Sequence, residues 1–157
     1  TFAKPAPETM EEISVSDEIQ NVVNILTPLA NMNNVQLKYS KADYVRCLIL
    51  GDPRKLQQSL INIVKNGIES MHGGGELEIN LTSDYSSVRI KIRDEGKGMS
   101  KHQINRLGEP YFTTKENGTG LGMMVSFSLI KGMGGQVNVD SEVGKWTSFS
   151  IEFPVVQ

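Results

Sequence analysis

Two asparagines, Asn62 and Asn66, stand four residues apart, a spacing that stacks two amides on one flank of a helix, with Lys65 at its edge. An amide oxygen is a hard, neutral ligand suited to Mg2+, and an amide NH2 can donate to phosphate. The same residues would also serve as an ordinary solvated helix face. A second group is Asp94-Glu95-Gly96-Lys97-Gly98-Met99. Asp94 shares strand parity with Val88, Ile90 and Ile92, so a regular strand turns its carboxylate to the covered face. A buried carboxylate needs a strong partner, and the exocyclic amine of a flat base would supply one. The nearby glycines would let backbone approach such a ring closely. Turned outward at Gly96, the strand end would instead leave Asp94 in water.

Asn117-Gly118-Thr119-Gly120-Leu121-Gly122 opens a helical stretch. Glycine-rich backbone at a helix start offers unpaired N–H groups and the positive dipole end to anions, or simply a capped loop. It lacks the spacing and the preceding strand of the dinucleotide-binding G-x-G-x-x-G, and no G-x-x-x-x-G-K-[ST] occurs in the chain. Between these groups lies Glu109-Pro110-Tyr111-Phe112-Thr113-Thr114-Lys115, aromatic residues with a lysine that could fold over a ligand.

The elements that must hold these groups follow from periodicity. Residues 1–12, with Pro5 and Pro7, read as a linker, followed by a short strand at Ile13–Val15. Ser16 reads as the N-cap of a helix with apolar residues at Ile19, Val22, Val23, Leu26, Leu29 and Ala30, kinked at Pro28. Val35–Tyr39 and Val45–Leu50 read as two strands around a polar turn. Asp52-Pro53 starts a helix that runs to about Met71, with Leu60, Val64, Gly67, Ile68 and Met71 on one side and Lys55, Ser59, Asn62, Asn66 and Glu69 on the other. Strands follow at Leu77–Leu81 and Val88–Ile92, a short helix at Ser100–Leu107, a helix from about Gly120 to Lys131, and strands at Gln136–Asp140 and Thr147–Phe153. The layout is an α+β, two-layer sandwich: a mixed, mostly antiparallel sheet of about five strands with three helices on one face.

A chain of 157 residues with 38% apolar and 22% charged residues is one domain with an adequate core. Net charge −2 speaks against a general nucleic-acid binder. One cysteine, Cys47, and two histidines exclude a disulfide framework and a Cys/His zinc site. The longest apolar stretches fall far below the roughly 18 residues of a membrane span, and the N-terminus lacks the apolar core of a signal peptide. Because the chain opens on Thr1, it is expected to be part of something longer.

The order of these groups resembles the N, G1, F and G2 boxes of the sensor histidine kinase catalytic domain, within the gyrase/Hsp90/histidine-kinase/MutL superfamily with its Bergerat ATP-binding fold. The resemblance runs from about Ile13 to Pro154 and ends on Gly144-Lys145-Trp146-Thr147-Ser148-Phe149, similar to the closing G3 element but with Trp146 where glycine is usual. Glu109–Lys115 and the TFAKP entry look most like the sporulation sensor kinases of endospore-forming bacteria, the B type among them. The resemblance implies ATP and Mg2+ as ligands. It assigns Mg2+ to Asn66, phosphate contacts and catalysis to Asn62, Lys65 and Lys115, and the adenine amine to Asp94 with Gly96, Gly98 and Met99 beside it. Phe112, Thr114, Lys115, Gly118, Thr119, Gly120, Leu121 and Gly122 would form the nucleotide lid and hinge, and Thr147 would join the site from G3.

Superfamily ATPases carry a glutamate, which activates water, at the position of Asn62, and an amide cannot act as a general base. The implied reaction is therefore phosphoryl transfer to a protein histidine rather than hydrolysis. His72 and His102 lie outside the long helix that carries the family's acceptor, so both are expected to have a structural or surface role, with the acceptor helices preceding Thr1. The implied partners are that dimerisation and phosphotransfer domain, a response regulator and a protein inhibitor, with no nucleic acid and no direct membrane contact. The domain would be cytoplasmic, its parent anchored in the cell membrane. The rival readings are a gyrase- or MutL-type ATPase and a degenerate, non-catalytic partner-binding module.

Overall fold

A computed structural model describes residues 10–42, 47–107, 109 and 121–156. Strand β1 (Glu11–Ser14) leads directly into helix α1 (Val15–Met32). The helix start differs from expectation: the side chain of Ser14 caps it, accepting from the Asp17 N–H at 3.4 Å. Val15 is already fully buried and its N–H donates to Cys47 O at 2.9 Å, which draws the start forward from Ser16. The Ser16 hydroxyl instead accepts from Tyr39 Oη at 3.1 Å. The helix continues through Pro28 to Met32.

Strands β2 (Val35–Lys41) and β3 (Leu48–Gly51) do not pair with each other, contrary to their reading as neighbours around one turn. β3 pairs antiparallel with β1 in a small two-stranded sheet, and β2 becomes an edge of the main sheet. Non-local partners outcompete the nearest one, because Ile13 and Ile49 bury together in the core. Helix α2 (Pro53–Ser70) starts where Asp52 accepts from the Arg54 N–H at 2.9 Å, with Pro53 in the first turn, as the Asp-Pro pair implied. Strands β4 (Gly75–Ser83) and β5 (Ser87–Asp94) form a hairpin closed by Asp84, whose carboxylate accepts from the N–H groups of Ser86 and Ser87. A short helix α3 (Lys101–Arg106) carries a Ser100/Gln103 capping box. Helix α4 (Leu121–Gly132) and strands β6 (Gln136–Glu142) and β7 (Trp146–Pro154) complete the described chain.

The main sheet has the order β2-β4-β5-β7-β6, antiparallel throughout except for the β2–β4 pair. Ile19 and Val22 of α1 and Leu60 and Val64 of α2 meet Ile79, Ile90 and Ile92 of the sheet. α4 joins the same layer, and its Phe127 ring lies 6.5 Å from that of Phe149. The opposite sheet face is polar, with the Arg89–Glu152 pair at 3.1 Å and the Arg93 guanidinium 5.0 Å above the Trp146 ring. This is the expected α+β two-layer sandwich with a mixed, mostly antiparallel sheet. α3 is the short helix expected at Ser100–Leu107, beside the three long helices among the described residues.

Candidate functional site

Along β5 burial alternates, and Asp94 follows Val88, Ile90 and Ile92 on the covered face with 5% exposure. Its Oδ1 accepts from the Gly96 N–H at 2.8 Å and lies 3.3 Å from the Ser70 hydroxyl. The backbone N–H of Thr147, directly opposite on β7, also donates to the carboxylate. Burial still outweighs these donors and pushes the Asp94 pKa above the usual carboxylate range. The group is thus an acceptor held in low dielectric, with no cation among the described residues contributing to its shift.

Glycines at 67 and 96 leave room around this carboxylate, and a third at 98 allows a close backbone crossing nearby. A Cβ on Gly67 would lie 2.7 Å from Leu77 Cδ1 and 3.3 Å from Asp94 Oδ2, so the missing side chain lets α2 ride close over the carboxylate. A Cβ on Gly96 would lie 2.0 Å from the Ser70 oxygen. Gly98 has φ +67°, and its Cβ would lie 2.1 Å from the carbonyl oxygen of Glu142. In the direction of a side chain, the space beside Gly96 and Gly98 is taken by protein atoms.

α2 runs from this pole to a second one. Ser70, Asn66 and Asn62 follow at successive turns along one flank, so the eight-residue step from Ser70 to Asn62 spans ~12 Å. Asn66 is half-buried beside Gly67, and Lys65 is exposed. Ser59, expected with the polar residues, is fully buried, its hydroxyl bonded to the carbonyls of Lys55 and Leu56. The Asn62 Nδ2 donates to Ser126 Oγ at 3.1 Å and, at a longer 3.4 Å, to Gly122 O. Ser126 spends its own hydrogen on Gly122 O at 2.9 Å and therefore offers Asn62 a lone pair. This polarity turns the Asn62 NH2 onto α4 and leaves Oδ1 as its remaining acceptor. Its oxygen is thus the part of the Asn62 amide that α4 leaves for a ligand.

Gly122 sits exposed in the first turn of α4, with open space where a Cβ would be. Leu121 is the first residue of that helix. Thr147 and Met99 are buried near the Asp94 pole. Trp146 sends its ring to the open sheet face under Arg93, so the departure from glycine does not intrude on Asp94. His72 and His102 are both exposed. Phe112, Thr114, Lys115, Gly118, Thr119 and Gly120 lie outside the described residues. Sequence reasoning overlooked Gly67 and Ser70 as supports of Asp94, and Ser126 as the partner of Asn62. Only weak signals existed: Ser70 stands one turn after Asn66, and Ser126 one turn after Gly122.

Residues 51–157 match the model of the histidine kinase-, DNA gyrase B-, and HSP90-like ATPase family. The chain belongs to this family. Among its relatives, sporulation kinases E and A of Bacillus subtilis (strain 168) are each 41% identical to it, over 99% and 98% of this chain. The chain spans only 21% and 25% of their lengths. Sporulation kinase B of the same organism is 37% identical over 98% of this chain and 36% of its own length, so the identities do not favour the B type over E and A. Among solved structures, the catalytic domain of the histidine kinase ThkA superposes with a TM-score of 0.83 at 24% identity, covering 94% of this chain and 96% of that one. Full-length ShkA, solved in complex with AMPPNP, superposes with a TM-score of 0.86 at 24% identity, covering 99% of this chain and 33% of that one. At these identities the structures establish a shared fold.

Proposed function

We propose that this chain is the ATP-binding catalytic domain of a two-component sensor histidine kinase of the sporulation type. It passes the γ-phosphate of ATP to a histidine on a separate helical domain, for relay to a response regulator. The observation that carries this reading is the pair of poles on one flank of α2: a buried acceptor at Asp94, and the amides of Asn66 and Asn62 one and two turns along the helix from Ser70. A nucleoside triphosphate lying along that flank would place its base amine at Asp94 and its phosphates near the start of α4.

Asn66 and Oδ1 of Asn62 are neutral oxygen donors, which suit Mg2+ when phosphate oxygens complete its shell. Among the described residues no cluster of three or more His, Cys, Asp or Glu could hold a metal. When bound, the ion would neutralise charge on the phosphates. Asn62 has no proton-accepting role, so the protein positions the γ-phosphate rather than activating water. Lys65 on α2 and Lys115 and the 118–122 segment would add positive charge and N–H donors, with Phe112, Thr114 and Leu121 covering the nucleotide. The acceptor helices, a response regulator and a protein inhibitor would be its partners, in the cytoplasm. No described helix is long and apolar enough to cross a membrane, and attachment of a parent protein to the membrane belongs to this reading.

Titration with ATP, with and without Mg2+, read by melting temperature or by the fluorescence of Trp146, tests the binding step. A rise in melting temperature with millimolar Mg-ATP is expected, and its absence would return the degenerate-module reading. Mixing the domain with the helical acceptor domain should yield phosphohistidine that the chain alone does not form. Vigorous ATP hydrolysis by the isolated chain would favour the ATPase reading.

A further inference from the structure

Leu77, Asp94, Thr147 and Ser141 lie in one row across β4, β5, β7 and β6. Ser141 is the half-buried end of that row, and no feature of its sequence context singled it out. Its Oγ has three partners: the Met99 N–H at 2.7 Å, Trp146 O at 2.7 Å and Thr147 Oγ1 at 2.9 Å. A hydroxyl has one hydrogen and two lone pairs. The Met99 N–H can only donate and Trp146 O can only accept. The single hydrogen of Ser141 therefore goes to Trp146 O, and one lone pair takes the Met99 N–H. The second lone pair must meet the hydrogen of Thr147, which makes Thr147 the donor of that bond. Thr147 is left with lone pairs alone, directly across from the Asp94 carboxylate.

We infer that Ser141 is a positioning residue that sets base specificity at this site. By consuming the hydroxyl hydrogen of Thr147 it makes Thr147 an obligate acceptor beside a second acceptor, Asp94. Such a pair matches a purine that bears an exocyclic amine, and it sets lone pairs against the oxygen of a 6-oxo purine. The inference rests on the reading that places the base at Asp94. Without Ser141, the Thr147 hydroxyl can rotate and donate, and the site can receive an oxo group there.

The test compares binding of ADP and inosine diphosphate, which differ in the 6 substituent and in the proton on N1, to the parent chain and to Ser141→Ala by calorimetry. The parent should prefer ADP. Ser141→Ala should reduce that preference about three- to tenfold, the scale of one hydrogen bond. Ser141→Thr keeps the hydroxyl and should restore the parent ratio. Thr147→Val, which removes the hydroxyl itself, should reproduce the loss and covers the case in which Ser141→Ala fails to fold. If Ser141→Ala weakens both nucleotides equally and the ratio holds, Ser141 is merely structural and the inference is overturned. Asp94→Asn separates the two readings. If it leaves ADP binding intact, the base is not at Asp94 and both fall; if it weakens ADP while Ser141→Ala keeps the ratio, only the Ser141 inference falls.

Discussion

Replacing Asp94 by asparagine removes a charge from beneath α2 while leaving the side-chain shape almost unchanged. The Gly96 N–H, 2.8 Å from Oδ1, will hold the amide oxygen of the variant and so place its NH2 where Oδ2 now lies. Oδ2 is the oxygen nearest Gly67 and is free of the Gly96 and Ser70 contacts, which both fall on Oδ1. A base amine arriving there would meet a donor instead of a charged acceptor. A hydrogen bond to a charged group contributes roughly 1.5–3 kcal/mol, so the loss together with the donor–donor clash should reach about 3 kcal/mol, or roughly 100-fold in affinity. The unliganded protein should respond in the opposite sense. The pKa of Asp94 is raised because burial disfavours its charged form, so the charge costs stability at neutral pH. That cost is fully present above the raised folded value and vanishes as pH falls through it to the ordinary carboxylate value. Asp94→Asn should therefore melt no lower than the parent at pH 7 without nucleotide, and any advantage should disappear under acid. Calorimetric titration with ATP and melting curves across pH measure the two effects. Undiminished ATP affinity in the variant would refute the base assignment, and a markedly lower melting temperature without nucleotide at pH 7 would refute the claim that burial outweighs the three donors.

Gly98→Ala should destabilise the fold by at least about 1–3 kcal/mol, because φ is +67° and the new carbon would lie 2.1 Å from the Glu142 carbonyl; chemical denaturation reads it directly. Ser126→Ala should release the Asn62 amide, so the gain in nucleotide affinity on adding Mg2+ should shrink while affinity without the metal stays near that of the parent. An equal loss in both conditions would count against the oxygen-out orientation of Asn62. Pro28→Ala should raise the melting temperature, because α1 runs through an exposed proline that lacks an N–H, with a gain on the order of 1–3 kcal/mol.

How far the site was legible depends on the distance over which each residue acts. Alternation along β5 reaches one residue at a time, and it correctly placed Asp94 on the covered face. Asp52-Pro53 and Ser100 act within one helical turn, and both mark helix starts as read. The pairing of β1 with β3 could not be seen this way, because the partners are about forty residues apart and chosen by burial of Ile13 against Ile49. Ser16 was read as the cap, but Val15 had to be buried and the helix starts at Ser14 instead. The glycines of the Asp94 segment were recognised, but the atoms that fill the space beside them, from Ser70 and Glu142, come from elsewhere in the chain.

By itself the amino-acid order determined the kinds of groups available and the local elements that carry them: a carboxylate ending a strand, amides one turn apart, glycines ahead of a helix. Only the tertiary structure decided which hydrogen each polar group spends and on whom. Ser126 orients an amide 64 residues away and Ser141 orients Thr147 across a strand pair. Residue type states what a side chain is able to donate or accept, whereas the neighbours brought to it by folding settle which of those capacities is left over for a ligand.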